Sequence, residues 1–278
     1  MRAILLTAVL LASCGAEEDP ITGERWDLVW EDEFKGSAGS PPNPDFWTFD
    51  LGNGEGGWGN AELQYYTDRP ENVALDGDGF LRIVARREAY EGSDWTSARI
   101  KTQGLFTTSY GRIEARILLP AGTGLWPAFW MLGSDIEELG WPLCGEIDIM
   151  EAKGRLPDES SGAIHGPGYS GGGAHFGTRA FPDGQSIDSD FHVYRIDWDP
   201  EHITWYVDDQ LLFTAHPGDV TGPWVLDHDF FLILNVAVGG IFDGPPDATT
   251  PDVNTMAVDW VRVYERKVPF VDPDVVTE

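Results

Sequence analysis

Short segments in which apolar and polar residues alternate recur along this chain and limit the folds that it can adopt. Residues 80–88 (FLRIVARRE) and 110–119 (YGRIEARILL) alternate in this way, as do 191–199, 202–215 and 257–266. A period of two is typical of strands with one buried face. No segment of ordinary helix length shows an amphipathic helical period. Thirty-three glycines and nineteen prolines separate the segments, so the sequence predicts an all-β sandwich or barrel.

One further segment, FFLILNVAVGG at 230–240, is nearly all apolar. Such a run predicts a buried central strand, and Asn235 within it predicts a specific polar partner. Turns are expected near Asp199-Pro200 and at Asp208-Asp209. Neither a composition break nor an internal repeat divides residues 26–266, which are therefore expected to form one domain.

The N-terminus predicts export. Residues 1–13 carry one positive charge followed by a short apolar run, which is typical of a signal peptide. The sequence Leu-Ala-Ser-Cys ending at Cys14 resembles the bacterial lipoprotein box, which implies cleavage before Cys14 and a lipid anchor on its thiol. An ordinary signal peptide with a chance cysteine is the alternative. Residues 14–25 are expected to be a linker and 267–278 a loose tail.

The net charge and the aromatic content narrow the range of possible ligands. The formal net charge is −29, which argues against nucleic acid and weakly against sulfated or uronic polymers. A neutral ligand fits better, although acidity also serves solubility. Twelve tryptophans include candidates for stacking on flat sugar rings, while most are expected in the core. With the Cys14 thiol lipidated, Cys144 is the one free cysteine expected in the mature chain, so no disulfide within it is expected.

The segment GEIDIMEAKG carries three carboxylates in six positions of a predicted buried strand. Burying such groups side by side costs free energy or shifts their pKa values. By alternation Glu146 and Asp148 share one face, whereas Glu151 falls on the opposite, apolar face. A one-residue β-bulge between Asp148 and Glu151 would bring all three acids to one face. A solvated acidic strand edge is the alternative, which the flanking Ile147 and Ile149 disfavour.

The spacing of the two glutamates suits a pair of catalytic carboxylates. With the bulge, Glu146 and Glu151 lie about four strand steps apart, or roughly 13 Å between Cα atoms. Side chains that lean toward each other bring the carboxyl groups to about 6 Å. Retaining glycosidases use about 5–5.5 Å and inverting enzymes more, so the spacing favours retention. Asp148 lies between them and would raise the pKa of Glu151 by like-charge repulsion.

Glu146, Asp148 and Glu151 form the pattern Glu-x-Asp-x-x-Glu, which resembles the bulged active-site strand of glycoside hydrolase family 16. The longer segment GWPLCGEIDIMEAKG is similar to the bacterial laminarinases in particular. Similar segments follow the same order along the chain: WGNAELQYYTDRPENV, SARIKTQG, GLWPAFWMLG, HGPGYSGG and LILNVAVGG. The resemblance covers nearly all of residues 26–266, which is far more specific than one hexapeptide.

The resemblance implies a jelly-roll sandwich of two curved antiparallel sheets with a substrate cleft on the concave face. It also implies endo-hydrolysis of β-1,3-glucan with retention and without a catalytic cofactor. By position, Glu146 would be the nucleophile, Asp148 the assisting carboxylate and Glu151 the acid/base.

Three tryptophans are candidates for substrate binding. Trp126 and Trp130 lie four residues apart, so on one strand they share a face and could form a sugar platform. Core packing is the alternative for both. Trp141 lies in the loop before the catalytic strand and could form one side of a donor subsite.

Three polar side chains are further candidates on the same resemblance. Asn60 would hydrogen-bond sugar on the donor side, or be a simple turn residue. Arg99 lies on the same side of its predicted strand as Lys101 and could reach sugar hydroxyls. The alternative is an exposed charge on the strand. His165 would lie close to the cleft, with a structural role in a loop as the alternative.

The resemblance also implies a structural calcium ion on the outer face. Glu33 and Gly79 would bind it through backbone carbonyls and Asp259 through its side chain, since calcium takes oxygen ligands. These positions form no motif, and the ion would serve stability.

Other substrates and another class of protein remain open. The same machinery could act on mixed-linkage β-1,3-1,4-glucan, agar or carrageenan, although the approach Gly140-Trp141-Pro142 and the negative charge favour neutral glucan. A non-catalytic glucan-binding lipoprotein is a second alternative, which the retained acids disfavour. The expected partner is thus a polysaccharide. No exposed apolar strand edge that would favour association is evident, and a monomer is expected.

Overall fold

Two β-sheets packed face to face account for the strands of this protein, whose computed structural model describes residues 17–18, 25–181 and 185–267. The predicted signal peptide, Cys14 and residues 268–278 lie outside the described residues. Strands are numbered in chain order. Sheet I contains β1 (Glu17–Glu18), β2 (Arg25–Asp32), β4 (Gln64–Tyr66), β5 (Val73–Leu75), β6 (Leu81–Tyr90), β7 (Ser93–Ser97), β9 (Gly111–Leu118), β14 (His192–Trp198), β15 (Ile203–Val207), β16 (Gln210–Ala215) and β18 (Val253–Arg266).

Sheet II has seven strands in the order β13-β12-β11-β10-β17-β8-β3, all paired antiparallel. The sandwich is a jelly roll, so the predicted fold class is confirmed. The strands of sheet II are β3 (Thr48–Asp50), β8 (Arg99–Lys101), β10 (Leu125–Gly133), β11 (Glu146–Glu151), β12 (Glu159–His165), β13 (His175–Ala180) and β17 (Phe230–Val238).

The nearly apolar segment forms β17, which lies between β10 and β8 and is buried along all nine residues. Its alternate residues Leu232, Leu234 and Val236 join the core between the two sheets. Ile233 and Asn235 point to the other face of sheet II. Because both faces of this strand are covered, its sequence lacks the polar alternation of the other strands.

The alternating segments of sheet I are strands, as predicted. The expected turn at Asp208-Asp209 joins β15 to β16, and both residues have positive φ angles, 49° and 62°. Aspartate tolerates this backbone region better than most residues. Strand β18 begins at Val253, ahead of the predicted residue 257, because its first residues pair with β6.

Helical structure is confined to short turns among the described residues. The α-helices are α1 (Ile136–Leu139) and α2 (Gly240–Asp243), with 3₁₀ turns at Gly171–Gly173 and Pro217–Asp219 and an irregular π-type turn at Gly57–Ala61. The described part of the chain has no helix long and apolar enough to cross a membrane.

Candidate active site

A one-residue bulge in β11 places three carboxylates on one face of sheet II. Trp130 of β10 pairs with Asp148, and Ala128 pairs with Glu151. Two steps along β10 therefore match three steps along β11, and β12 shows the same shift. The predicted bulge is confirmed. We call the face that carries Glu146, Asp148 and Glu151 the cleft face.

The opposite face of β11 fixes the strand against the core. Ile147, Ile149 and Met150 are 0–2% exposed and belong to the core between the sheets. Trp205 of sheet I donates its Nε1–H to the backbone oxygen of Asp148 at 2.8 Å. The apolar residues thus hold the bulge in place and leave the acids on the other side.

Glu146 accepts a hydrogen bond from an uncharged donor. Trp141 Nε1 donates to Glu146 Oε2 at 2.8 Å, and His165 Nε2 lies 3.7 Å from Glu146 Oε1. Burial raises the pKa of Glu146 well above its usual value, and the nearby Asp148 raises it further. The Trp141 N–H and the proximity of His165 oppose this shift.

Asp148 is the most buried of the three acids, with 3% exposure. Its Oδ2 lies 3.1 Å from His165 Nε2, and its side chain hydrogen-bonds to that of Glu146. Burial raises the pKa of Asp148 well above its usual value, and the charge of Glu151 adds to the effect.

Glu151 lies at the other end of the cluster and is 9% exposed. Trp126 Nε1 donates to its Oε1 at 2.9 Å. Burial raises the pKa of Glu151, while His165 and the Trp126 N–H act in the opposite direction. Because the three acids interact, their protons belong to the cluster as a whole. Such a site can both hold a proton and present an ionised carboxylate.

His165 ends β12 and pairs with Glu146 across the sheet, so it lies in a strand and not in a loop. Ligand atoms of Glu146, Asp148 and His165 all lie within 4.8 Å of one another. This spacing could hold a divalent cation. The same atoms also have the arrangement expected of an acid–base cluster.

Trp126 and Trp130 lie on the cleft face and not in the core, as the platform interpretation requires. Trp130 Nε1 donates to Asn235 Oδ1 at 2.7 Å, and Asn235 Nδ2 donates to Tyr66 Oη at 3.1 Å. The polar partner expected for Asn235 is therefore present. Trp141 is 49% exposed and stands beside Glu146 at the cleft.

Arg99 is only 8% exposed, so the alternative of an exposed strand charge is wrong. Its Nε donates to Asp50 Oδ2 at 2.8 Å, and Lys101 Nζ lies 2.6 Å from Asp50 Oδ1. The guanidinium stacks 3.9 Å from the centre of the Trp58 ring. This geometry fixes Arg99 at the cleft face.

Asn60 lies in the loop that carries Trp58. Its Nδ2 donates to Glu62 Oε1 at 3.2 Å, and Gln64 Nε2 donates to Glu62 Oε2 at 2.6 Å. Burial raises the pKa of Glu62. No sequence pattern singles out Glu62, Trp58, Asp50 or Tyr66, because their roles depend on contacts between distant strands and loops.

The three residues expected to bind calcium belong to one part of sheet I or its adjoining loops. Val258 of β18 pairs with Leu81, and Val261 pairs with Asp32. Gly79 precedes Leu81 by two residues and Glu33 follows Asp32, whereas Asp259 sits in a register shift between the two pairs. Arg116 Nη1 lies 2.5 Å from Asp259 Oδ2. The Asp259 carboxylate therefore already has a charged partner, and calcium binding stays a prediction.

Cys144 precedes the catalytic strand but cannot serve as a nucleophile at neutral pH. The thiol is free and fully buried. Burial raises its pKa to about 11, so the reactive thiolate is scarce.

A jelly-roll sandwich with paired carboxyl groups of raised pKa on one face has the features of a glycoside hydrolase of the two-carboxylate class. Residues 57–262 match glycosyl hydrolases family 16. The chain belongs to this family and is a glycosidase.

Relatives and solved structures of this family cover most of the chain. It is 42% identical to a β-glucanase of Rhodothermus marinus over 95% of this chain and 92% of that protein. It is 46% identical to the endo-β-1,3-glucanase of Pyrococcus furiosus, with a TM-score of 0.84 over 88% of this chain and 97% of that structure. A laminarinase catalytic domain from Thermotoga petrophila is 47% identical, with a TM-score of 0.83 over 88% of this chain and 100% of that domain.

Proposed function

We propose that this protein is an endo-1,3-β-glucanase that cleaves laminarin-type glucans with retention of anomeric configuration. The observation that carries the proposal is the bulge in β11, which aligns Glu146, Asp148 and Glu151 on the cleft face. The similarity to endo-1,3-β-glucanases over most of the chain supports the choice of substrate.

In the first step, an oxygen of Glu146 attacks the anomeric carbon. The bond from that carbon to the leaving oxygen breaks, and Glu151 gives its proton to this oxygen. Trp141 orients the Glu146 carboxylate through its N–H to Oε2. The product is a glycosyl ester on Glu146 together with a shortened glucan.

In the second step, Glu151 takes a proton from water, and the water oxygen attacks the anomeric carbon. The ester bond breaks, Glu146 leaves as a carboxylate, and Glu151 is protonated again. Asp148 and His165 lie against Glu146 and help to set where the cluster keeps its proton. No cofactor is needed for either step.

A digest of laminarin tests the proposal, with products resolved by length. Wild type should release a ladder of short glucans whose new reducing ends first form with the β configuration, as seen by NMR. Glu146→Gln should release none. Binding of laminarin without cleavage by the wild type would instead indicate a glucan-binding protein.

The same digest on other polymers tests the specificity. Mixed-linkage β-1,3-1,4-glucan, agar and carrageenan should be cut more slowly than laminarin. Faster cleavage of any of them would overturn the proposed substrate while leaving the proposed chemistry in place.

We also propose that calcium binds at Glu33, Gly79 and Asp259 and stabilises sheet I. Calcium would have to share the Asp259 carboxylate with Arg116. Thermal unfolding with calcium and with a chelator should differ in wild type and agree in Asp259→Asn. Equal melting temperatures for wild type under both conditions would refute the site.

We further propose that the protein is exported as a monomer with a lipid anchor on Cys14, which lies outside the described residues. In a bacterial host, wild type should fractionate with membranes, and Cys14→Ser should not. Soluble wild type after export would favour an ordinary signal peptide. Gel filtration of a form that starts after Cys14 tests the monomer.

A further inference from the structure

Exposure distinguishes two aromatic side chains of the described chain. Phe176 is 64% exposed and Trp141 is 49% exposed, whereas the other aromatic side chains that the structure describes are buried or half-buried. Trp141 contacts the carboxylate of Glu146. Phe176 costs free energy in water without contributing to the core. Its position in the fold therefore calls for a reason.

The strand register places Phe176 on the cleft face. Asp148 of β11 pairs with Ala163 of β12, and Ala163 pairs with Phe176 of β13. Residues that pair directly across an antiparallel sheet point to the same side. Phe176 thus lies in one row with Asp148, two strand spacings or about 10 Å away.

The neighbours of Phe176 along β13 confirm this orientation. The His175 ring packs against Phe213 of sheet I at a tilted angle, with ring centres 5.9 Å apart. A Cβ atom at Gly177 would meet the Phe213 ring at 2.5 Å. Both residues therefore face sheet I, and Phe176 between them faces the cleft.

The residues between Phe176 and the acids are small. Ala163, the residue between Asp148 and Phe176 in the row, has a single methyl group as its side chain. In the next row, the small side chains of Ser161 and Thr178 pair with each other beside Glu151. No bulky side chain of these two rows therefore separates the acids from the Phe176 ring.

We propose that Phe176 is the stacking platform for a glucosyl unit on the leaving-group side of the cleaved bond. The inference rests on the proposed glucanase function. Asn60, which the family resemblance places on the donor side, and the Arg99 cluster lie across β10 and β17 from the acids. Phe176 lies on the opposite side of β11, where the departing chain must run. Its flat, exposed ring suits the apolar face of a neutral sugar.

A comparison of two substrates distinguishes stacking on the leaving-group side from a general loss of activity. Laminarihexaose places sugars on both sides of the cleaved bond, whereas an aryl β-laminaritrioside has sugars on the donor side and an aryl leaving group. For Phe176→Ala, kcat/KM on laminarihexaose should fall about tenfold. On the aryl substrate it should stay within about twofold of wild type. Phe176→Tyr keeps the ring and should match wild type on both.

Val29→Ala is the matched control, because Val29 is 46% exposed on β2 of sheet I. It should leave both substrates unaffected. Unchanged cleavage of laminarihexaose by Phe176→Ala would overturn the inference, as would equal losses on both substrates. If wild type cleaves no β-1,3-glucan at all, the proposed function fails and this inference with it.

Discussion

The same type of side chain serves two purposes in the two sheets. On the cleft face of sheet II, Glu146 and Glu151 each accept a hydrogen bond from a neutral tryptophan N–H. In sheet I, Asp197 accepts two bonds from the Arg112 guanidinium, at 2.7 and 2.8 Å. Glu33 likewise accepts two bonds from Arg262.

The difference determines what each carboxylate can do. A guanidinium stays charged at every working pH and holds its partner ionised, so the pair contributes a fixed contact. An indole N–H orients a carboxylate without fixing its charge. The carboxyl groups of Glu146 and Glu151 can therefore exchange protons, which the proposed reaction requires, and the arginine-bound carboxylates of Asp197 and Glu33 contribute to stability.

Glu146→Gln tests the catalytic half of this comparison with the largest expected effect. Loss of the nucleophile should lower kcat on laminarin by about 10⁴-fold or more, as measured by release of reducing sugar. The melting temperature should stay the same or rise, because one of three mutually repelling buried acids is gone. Retention of a tenth of the wild-type activity would exclude Glu146 as the nucleophile.

Glu151→Gln removes the proposed proton donor and should lower kcat/KM on laminarin by about 10³-fold. An aryl substrate, whose leaving group needs little protonation, should lose less in its first step. The raised pKa of Glu151 keeps its acid form present to a higher pH than an ordinary glutamate. Activity of wild type should thus fall as the pH rises through that pKa, and this decline should be absent in Glu151→Gln.

Much of this arrangement could be predicted from the sequence because the signals are local. Alternation identified β6, β9, β14 and β18, and a parity mismatch within six residues predicted the bulge between Asp148 and Glu151. Each of these inferences depends on neighbours along one strand. The start of β18 could not be predicted, since pairing with β6 decides it.

The surroundings of the acids depend on contacts between distant parts of the chain. Arg99 is held by Asp50, 49 positions earlier, and by Trp58. Phe176 lies in the segment HFGTRA, whose alternation is weak. Its place beside Asp148 follows from the register of three strands. No pattern within one segment encodes that register.

Asp197→Asn tests the stabilising half of the comparison. Side chains of Arg112 and Asp197 are only 9% and 15% exposed, so the amide removes a charged partner from a buried guanidinium. We expect a loss of about 3 kcal/mol in the free energy of unfolding, measured with denaturant at pH 7. Activity of the folded protein should remain within about twofold of wild type. A large loss of kcat without a loss of stability would contradict the division between the sheets.

Asp148→Asn gives the smallest and most specific effect, a stability difference that depends on pH. Unfolded Asp148 ionises near its ordinary pKa of 3.8, whereas the folded protein holds its proton to higher pH. Wild type therefore loses stability as the pH rises above 3.8, because the folded state binds more protons than the unfolded state. The amide that replaces this carboxyl group does not titrate. The variant should thus match wild type below that pH and be more stable than wild type at neutral pH.

The same pH series on Asp197→Asn is the control. This variant loses the ion pair with Arg112 in sheet I and leaves the acids of the cleft face intact. Thermal melts of both variants and wild type between about pH 3 and 8 measure how each stability difference depends on pH. If Asp148→Asn gained no stability over wild type as the pH rises, the carboxyl group of Asp148 would not hold its proton in the way described.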